Sequence, residues 1–124
     1  MKVKIGNYFK SGKPRKAKVE IEGHDLYSLD HTLALIIHPC LVAYRANGNR
    51  GVPGNLMSEN SGNEDMSYED GLRLWNEILD KMIWSFNEIA FDSPNEPSAH
   101  DKAYYDRVQA GLDLFGYHYS SLWT

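Results

Sequence analysis

Apolar side chains recur at intervals of three and four residues in three separate segments of the chain. This spacing places them on one side of an α-helix, and that side must be covered by another element. The pattern predicts helices over 28–46, 67–90 and 98–121, with a long loop over 47–66. Three helices that cover one another predict a bundle, in which functional groups are left to the surfaces that face outward.

Each predicted helix has a recognisable start and its own apolar stripe. Each begins at a serine that is followed two or three positions later by an aspartate, a pattern that favours capping of the first turn. The stripe residues are Leu29, Leu33, Ile36, Ile37, Cys40, Leu41 and Tyr44, then Leu72, Trp75, Leu79, Met82, Ile83, Phe86 and Ala90, and then Tyr104, Tyr105, Val108, Leu112, Phe115, Tyr119 and Leu122.

Two residue types inside the predicted helices oppose helix formation. Pro39 cannot donate a backbone hydrogen bond, so we expect a kink in the first helix. Gly111 and Gly116 each cost roughly 1 kcal/mol against alanine in a helix. We expect them to mark a close approach of another backbone, or a helix that ends early near Gly116.

The first 22 residues alternate between charged and apolar side chains, a period of two that is typical of half-buried strands. The alternating stretches KVKIGN and AKVEIEG are joined by a segment with Gly12 and Pro14, which favour a turn. We therefore predict a β-hairpin over 1–22. Because two strands alone are marginally stable in water, it must lie on the helices or pair with another chain.

The predicted fold class is α+β, mostly α, with the N-terminal β-hairpin packed on a three-helix bundle in one domain, 1–124. A chain of 124 residues that is 42% apolar suits one such domain. Cys40 is the single cysteine and cannot form an internal disulfide. No apolar run approaches the ~20 residues of a membrane span, and the N-terminus resembles no signal segment. We expect an intracellular protein without a membrane partner.

Charge is divided unevenly along the chain. Residues 1–22 hold seven bases and two acids, a net of +5, whereas the rest holds six bases and fifteen acids, a net of −9. A basic arm can bind nucleic acid or another polyanion. The same charges also suit the water-facing side of strands, or complement the acidic body. The candidate polyanion-binding residues are Lys10, Lys13, Arg15, Lys16 and Lys18.

Ionisable and aromatic side chains on the first two predicted helices form a candidate functional cluster. Its members are Asp30, His31, His38, Glu77, Asp80, Trp84 and Glu88. His31 and His38 lie on one side of their helix, about 10.5 Å apart along its axis, which is too far for one metal ion. A water-facing edge is the simplest interpretation. A buried histidine bound to a carboxylate, or one histidine joining carboxylates at a metal or catalytic site, are the alternatives.

Glu77 and Asp80 form an E-x-x-D pair, which can bind Mg²⁺ through its carboxylates. All-α nucleotide pyrophosphohydrolases use such pairs on two facing helices, whereas the first helix here has only Asp30 near its start. A solvated acidic stripe is the alternative interpretation. Trp84 within this stripe indicates packing against another segment, such as the hairpin or a partner. The sequence contains no Gly-rich phosphate loop, zinc-ligand spacing or H-E-x-x-H motif.

Three longer stretches carry a family resemblance. HDLYSLDHTLALIIHPCL is similar to D-T-W-S-x-D-x-T-L-A-x-I-I-x-P-x-L, and WNEILDKMIWSFNE to W-x-x-x-L-D-E-M-I-W-A-F-E. RVQAGLDLFGYHYSSLW is similar to R-I-Q-x-G-L-x-L-F-G-K-Y-Y-x-x-L-W. In these patterns, and in its opening KVKIG, the chain resembles a family of small proteins of unknown function encoded by tailed bacteriophages. The resemblance covers somewhat more than half the chain, in the family's order.

The resemblance implies a phage protein made in an infected bacterium, and it brings no activity with it. It draws attention to Asp30, Asp80 and Trp84, which match the motifs. The chain also departs from the family: Tyr27 stands where Trp is usual, Cys40 where Met is usual, and the middle loop keeps only GVP of its usual run. Lys81 replaces an acidic residue beside Asp80, which weakens a metal interpretation of that helix.

The leading hypothesis is a non-enzymatic accessory protein without a cofactor, located in the host cytoplasm. It would bind a host or phage protein, or another copy of itself, through the hairpin edge and the surface around Trp84. One alternative is a metal-dependent nucleotide hydrolase with Asp30, His31, Glu77 and Asp80 around Mg²⁺. The other alternative is a minor component of the virion.

Overall fold

The computed structural model describes residues 1–8, 12, 14–48, 50–56, 67–91 and 101–123. Its regular elements are β1 (Lys2–Ile5), β2 (Ala17–Glu20), α1 (Leu29–Ala46), α2 (Tyr68–Phe91) and α3 (Lys102–His118), with short 3-10 turns at Gly23–Leu26, Gly54–Leu56 and Tyr119–Ser121. The predicted fold class is confirmed: three helices follow an N-terminal antiparallel hairpin. The predicted loop over 47–66 lies largely outside the described residues.

The second helix is the centre of the fold. Both α1 and α3 pack along α2, whereas α1 and α3 have little contact with one another. The side chains of Trp75, Leu79 and Met82 are completely buried between these neighbours. The predicted stripe of α2 is therefore a core face, because it is covered from two sides.

The first helix covers less of its predicted stripe. Leu41 is buried as expected, and it is joined by Ala34, which lies off that stripe. Leu29, Leu33 and Ile36 are exposed, so the expectation that the whole stripe belongs to the core is wrong. The reason is that, among the described helices, α1 packs extensively only against α2. The helix continues through Pro39 to Ala46.

Of the two predicted serine caps that lie within the described residues, one is confirmed and one is not. Ser67 accepts a hydrogen bond from the Asp70 amide at 3.1 Å, as predicted. Ser28 stands at the start of α1 but makes no side-chain cap. Asp101 caps α3 by accepting from the Tyr104 amide at 2.9 Å, so this helix begins at Lys102. The predicted cap Ser98 lies outside the described residues.

The two strands pair in an antiparallel register that gives the hairpin two distinct faces. Val3 lies opposite Val19 on one face, and Lys4 lies opposite Lys18 on the other. All eight strand residues are exposed, so the expected half burial of the strands is wrong. The physical reason is that none of the described helices covers the apolar face of the hairpin.

The base of the hairpin is fixed by one buried carboxylate. Asp25 lies 3.0 Å from the α-ammonium of Met1 and accepts a hydrogen bond from the Glu22 amide at 2.8 Å. The backbone carbonyl of Asp25 also accepts from the Thr32 hydroxyl at 3.1 Å. This residue therefore connects the first strand to the beginning of α1.

Candidate functional site

The structure separates the acidic members of the candidate cluster. Asp80 pairs with Arg45 at 3.1 Å, in the last turn of α1, whereas Asp30 lies in the first turn of that helix. Asp30 and Arg45 are fifteen positions apart, which corresponds to about 22 Å along a helix axis. A shared metal coordination shell for Asp30 and Asp80 is therefore excluded. Among the described side chains, no group of three His, Cys, Asp or Glu residues could hold a metal ion.

The two histidines lie against the C-terminal end of α2. The imidazole Nδ1 of His31 is 3.2 Å from the carbonyl oxygen of Ile89, which can only accept, so Nδ1 carries the proton and donates. Carbonyls in the last turn have no partner within their own helix, and His31 supplies one. The ring of His38 meets the edge of Phe91 with centroids 5.6 Å apart. Both histidines thus connect α1 to α2; His31 is exposed and His38 is half-buried.

Trp84 packs between helices, as the sequence indicated, but its partner is α3 and not the hairpin. The guanidinium of Arg107 lies 3.7 Å above the centre of the indole. Tyr104 meets the indole edge-on, at a centroid distance of 5.8 Å. The indole is half-buried under these two side chains, so only part of it remains accessible to a partner.

The remaining acidic members, Glu77 and Glu88, belong to the outer side of α2. Glu77 is exposed, and Glu88 is half-buried. The side-chain amide of Asn87 donates to the carboxylate of Glu88 at 3.5 Å. The arrangement around them corresponds to the solvated acidic stripe that the sequence offered as an alternative.

A buried histidine does exist, but sequence reasoning missed it. His118 is buried at the end of α3, with its ring centroid 5.2 Å from that of Trp75. Burial lowers the pKa of His118. Its position three residues after Phe115 continues the apolar stripe of α3, and this spacing was the signal that could have found it. The indole Nε1 of Trp75 beside it is buried and has no hydrogen-bond partner among the residues that the structure describes.

Arg50 is a second buried polar residue that the sequence did not indicate. Its guanidinium donates to the Arg45 carbonyl at 3.2 Å and to the Asn76 side chain, and it lies over the Tyr44 ring. Burial, followed by the nearby charge of Arg45, lowers the pKa of Arg50. These contacts hold the chain that follows α1 against the C-terminal end of that helix and against α2.

The predicted basic residues have different roles within the hairpin. Arg15 folds back, donating to the Gly6 carbonyl at 2.8 Å and lying over the Tyr8 ring. Lys18 pairs with Glu20 at 3.2 Å, and Lys16 is exposed. Lys10 and Lys13 lie outside the described residues. A surface depression beside Lys2 and Lys4 lies over the basic face of the two paired strands.

A second depression lies far from the charged groups, between α1 and α3. Its volume is about 300 Å³, and its walls are apolar. The lining side chains are Ile36, Ile37, Cys40, Leu41, Tyr44, Phe115, Tyr119 and Leu122. At one end, the Tyr44 hydroxyl donates to the Trp123 carbonyl at 2.9 Å and joins α1 to the C-terminal residues. We call this feature the α1/α3 groove.

Within the described ranges, the helices are too short or too polar to cross a membrane. Comparison with protein-family models, with curated proteins and with solved structures finds no match to this chain. The resemblance to phage proteins therefore depends on the sequence motifs alone.

Proposed function

We propose that this protein is a non-enzymatic phage accessory protein that acts by binding another macromolecule through its N-terminal hairpin. The observation that carries the proposal is the uncovered apolar face of a hairpin whose base is firmly held. Val3, Val19 and Ile5 are 44%, 50% and 56% exposed, although they form the apolar side of the sheet. Asp25 fixes the hairpin in this presented position.

Physical chemistry favours a partner for such a hairpin. A two-stranded sheet has little stability of its own in water, and covering apolar surface contributes about 25 cal/mol per Å². The described sheet has two strands, so each strand has an unpaired outer edge. An open edge can pair with a strand of another chain through backbone hydrogen bonds.

The opposite face of the hairpin suggests that the partner is acidic. Lys4 lies directly opposite Lys18, and like charges in this position destabilise a sheet. An anionic group from a partner would relieve the repulsion. A polyanion such as nucleic acid is therefore a second candidate, and its binding would weaken steeply as salt is raised.

The cellular setting follows from the motif resemblance. We infer that the partner is a host or phage protein in an infected bacterium, or a second copy of this chain. Mass spectrometry of purified virions tests the alternative of a minor virion component. The nucleotide-hydrolase alternative has no geometric support, since Asp80 of α2 pairs with Arg45 at the C-terminal end of α1 whereas Asp30 lies at the N-terminal end of α1.

The experiment compares capture from infected-cell lysate by three forms of the protein. The double variant V3T/V19T keeps β-branched side chains but makes the apolar face polar, whereas K4T changes only the basic face. We expect a protein partner to be retained by the wild type, to be held more weakly by K4T because the basic face loses one charge, and to be lost by V3T/V19T. Equal capture by all three forms, or a protein that captures nothing and sediments as a monomer, contradicts the proposal.

A further inference from the structure

The charged side chains of the two strands lie together on one face of the hairpin. Lys2 is opposite Glu20, and Lys4 is opposite Lys18. Side chains alternate between the two faces of a strand, so the positions between these residues carry the apolar side chains to the other face. The surface depression on the charged face is lined by Lys2, Lys4 and Lys18, among others. This is the basic face of the hairpin.

The basic face continues beyond the strands towards the tip of the hairpin. The Gly6 amide donates to the Lys16 carbonyl at 2.7 Å, which extends the antiparallel pairing by one step. A Cβ placed on Gly6 would lie 3.9 Å from the Cβ of Lys16, so these two positions share a face. Gly6 is two positions after Lys4, which puts Lys16 on the basic face as well. Arg15 adds a positive charge at this end, where it donates to the Gly6 carbonyl.

Most of this positive charge is not neutralised within the described part of the chain. Lys18 pairs with Glu20 at 3.2 Å, whereas Lys2, Lys4 and Lys16 form no ion pair among the described residues. Lys4 also lies opposite Lys18, and like charges in this position destabilise a sheet. A lysine opposite a glutamate, as Lys2 is, would be solvated equally well without the repulsion. Contact with water alone therefore does not account for the arrangement.

The proposed function leaves open which anion the basic face binds. We propose that this face binds the phosphate backbone of duplex DNA without preference for sequence. The inference rests on the proposed function in that the hairpin is the binding element, but it concerns the face opposite the apolar one. From Lys2 to Lys16 the face is about 14 Å long, and a duplex carries a negative charge about every 1.7 Å of its axis. Several phosphates are thus within reach of the three unpaired lysines.

The chemistry of the basic face favours phosphates over a protein surface. Lysine is depleted from protein–protein interfaces, where aromatic residues, methionine and arginine are enriched. The ammonium group of lysine is a compact charge on a flexible stem, without the fixed donor geometry of arginine. Such a group suits phosphates, which position a protein on DNA but carry no sequence information. Binding without sequence preference follows from this composition.

The shape of the hairpin favours a duplex over a single strand. A two-stranded ribbon fits the major groove of DNA. Proteins that bind single strands stack the bases on aromatic side chains, and the strands KVKI and AKVE contain none. The ring of Tyr8, beyond the end of β1, already has the Arg15 guanidinium over it at 4.3 Å. The bases of a duplex are stacked on one another and need no such platform.

The number of unpaired lysines predicts how binding responds to salt. Three phosphate contacts give a plot of log K against log salt with a slope of about −2.7. Raising NaCl from about 0.05 to 0.2 M should therefore weaken binding about 40-fold. Because residues 23–124 carry a net charge of −9, which repels DNA, we expect a weak complex, with a Kd of about 1–100 µM at physiological salt.

The first test measures fluorescence anisotropy of a labelled duplex over this salt range, with two matched double variants. K4Q/K16Q removes two charges from the basic face, and K81Q/K102Q removes two from exposed positions on α2 and α3, so both variants have the same net charge. We expect K81Q/K102Q to keep the wild-type slope, and K4Q/K16Q, with one contact left, to weaken only three- to fourfold over the range. No binding by the wild type at about 0.05 M NaCl, or equal loss in both variants, overturns the proposal.

The second test maps the contact on the wild type and does not depend on the folding of any variant. Titration with the same duplex should shift the amide resonances of β1 and β2 in nuclear magnetic resonance spectra and leave those of α2 unchanged. Shifts that are confined to the helices overturn the proposal, because they place the DNA elsewhere on the molecule.

Further probes identify the ligand and separate this inference from the proposed function. A duplex of unrelated sequence should bind equally, whereas a single strand of the same length and polyglutamate should bind more weakly. Tighter binding of either of these two overturns the assignment to duplex DNA, and polyglutamate would indicate an acidic protein. V3T/V19T should bind the duplex as the wild type does even though it loses the protein partner. Loss of the duplex by V3T/V19T places the DNA on the apolar face and also overturns the proposal.

Discussion

The two glycines inside α3 look alike in the sequence, but the structure gives them different surroundings. A Cβ placed on Gly111 would lie 2.6 Å from the Ser85 Cβ and 2.7 Å from the Lys81 carbonyl oxygen. Gly116 has open space around it, and the helix continues past it to His118. The expected close approach is confirmed at Gly111. At Gly116 no close approach is found, whereas the α-helix ends at His118, two residues beyond this glycine and short of the predicted residue 121.

The stability effects of alanine at these two positions should have opposite signs. We expect G111A to lower the free energy of unfolding by about 1–3 kcal/mol, because the added methyl group forces α2 and α3 apart. We expect G116A to raise it by about 1 kcal/mol, the ordinary gain of alanine over glycine in an exposed helix. Urea denaturation of both variants measures the two changes. A stabilising G111A would mean that the helices are not in the close contact described.

The buried imidazole of His118 predicts a pH dependence of stability. Because burial lowers its pKa, the native state keeps the ring neutral at a pH where the unfolded chain, with a histidine pKa of about 6.5, already binds a proton. The contribution is fully present above pH ~6.5 and is lost as the pH falls below it. We expect the Tm of the wild type to fall between pH 7.5 and 5.5.

The variant H118Q isolates this effect, since glutamine is polar and does not titrate. Its Tm should be lower than that of the wild type at pH 7.5 but should change less on acidification. H38Q provides the matched control, because His38 is only half-buried. If the fall of Tm with pH persists in H118Q and disappears in H38Q, the group responsible is His38 of α1, and the prediction for His118 is wrong.

At the scale of elements, the sequence predicted where helices lie better than which sides they cover. The bounds of α2 differ from the prediction by one residue, because its stripe is closed by a neighbour on each side. The bounds of α1 were predicted equally well. This helix, however, carries apolar residues on several sides, among them Leu35 and Val42. Periodicity gives the faces of a helix and does not show which face has a partner.

For a related reason, the sequence could not predict which members of the candidate cluster lie close together. Helical spacing correctly placed Glu77 with Asp80, and His31 with His38, on common sides. It contained no information on which residue of another helix each would meet. Asp80 meets Arg45 and His31 meets the Ile89 carbonyl, and both choices depend on how far α1 is shifted along α2. Such a shift is determined by the packing of side chains between the helices.

The attachment of the hairpin to the helices predicts a local effect of Asp25. We expect D25N to reduce the protection of the backbone amides of the strands from hydrogen exchange. The reason is that the neutral asparagine side chain cannot form an ion pair with the Met1 ammonium. Amides in α2 should keep their protection, since they lie in the core. The hydrogen bond from the Glu22 amide, together with the Met1 ammonium, lowers the pKa of Asp25. The anchor is thus present above the ordinary carboxyl pKa of about 3.9 and is lost as the pH falls through the lowered value.

Nuclear magnetic resonance exchange measurements at pH 6 test this prediction residue by residue. D30N is the matched control, because Asp30 is exposed at the start of α1 and forms no described ion pair. Equal loss of protection throughout the helices and the strands of D25N would show that the hairpin and the bundle unfold together, contrary to the expectation.

At the scale of the whole molecule, two different surfaces are left uncovered by the fold. The hairpin is charged, with a net of +5 over residues 1–22, and it presents an apolar face beside a basic one. The α1/α3 groove is apolar. The two surfaces belong to different elements, so a change in one leaves the other in place.

Salt should separate the contributions of the two faces of the hairpin. Screening shortens the reach of charges to about 8 Å at physiological ionic strength and about 3 Å at 1 M, but it leaves the burial of apolar surface intact. We therefore expect capture of an acidic partner through the basic face to weaken between about 0.05 and 0.5 M NaCl, and capture assays at the two salt concentrations measure the change. If capture stays constant or rises over this range instead, the apolar face holds the partner and the basic face does not contribute, because screening acts on charges and not on buried apolar surface.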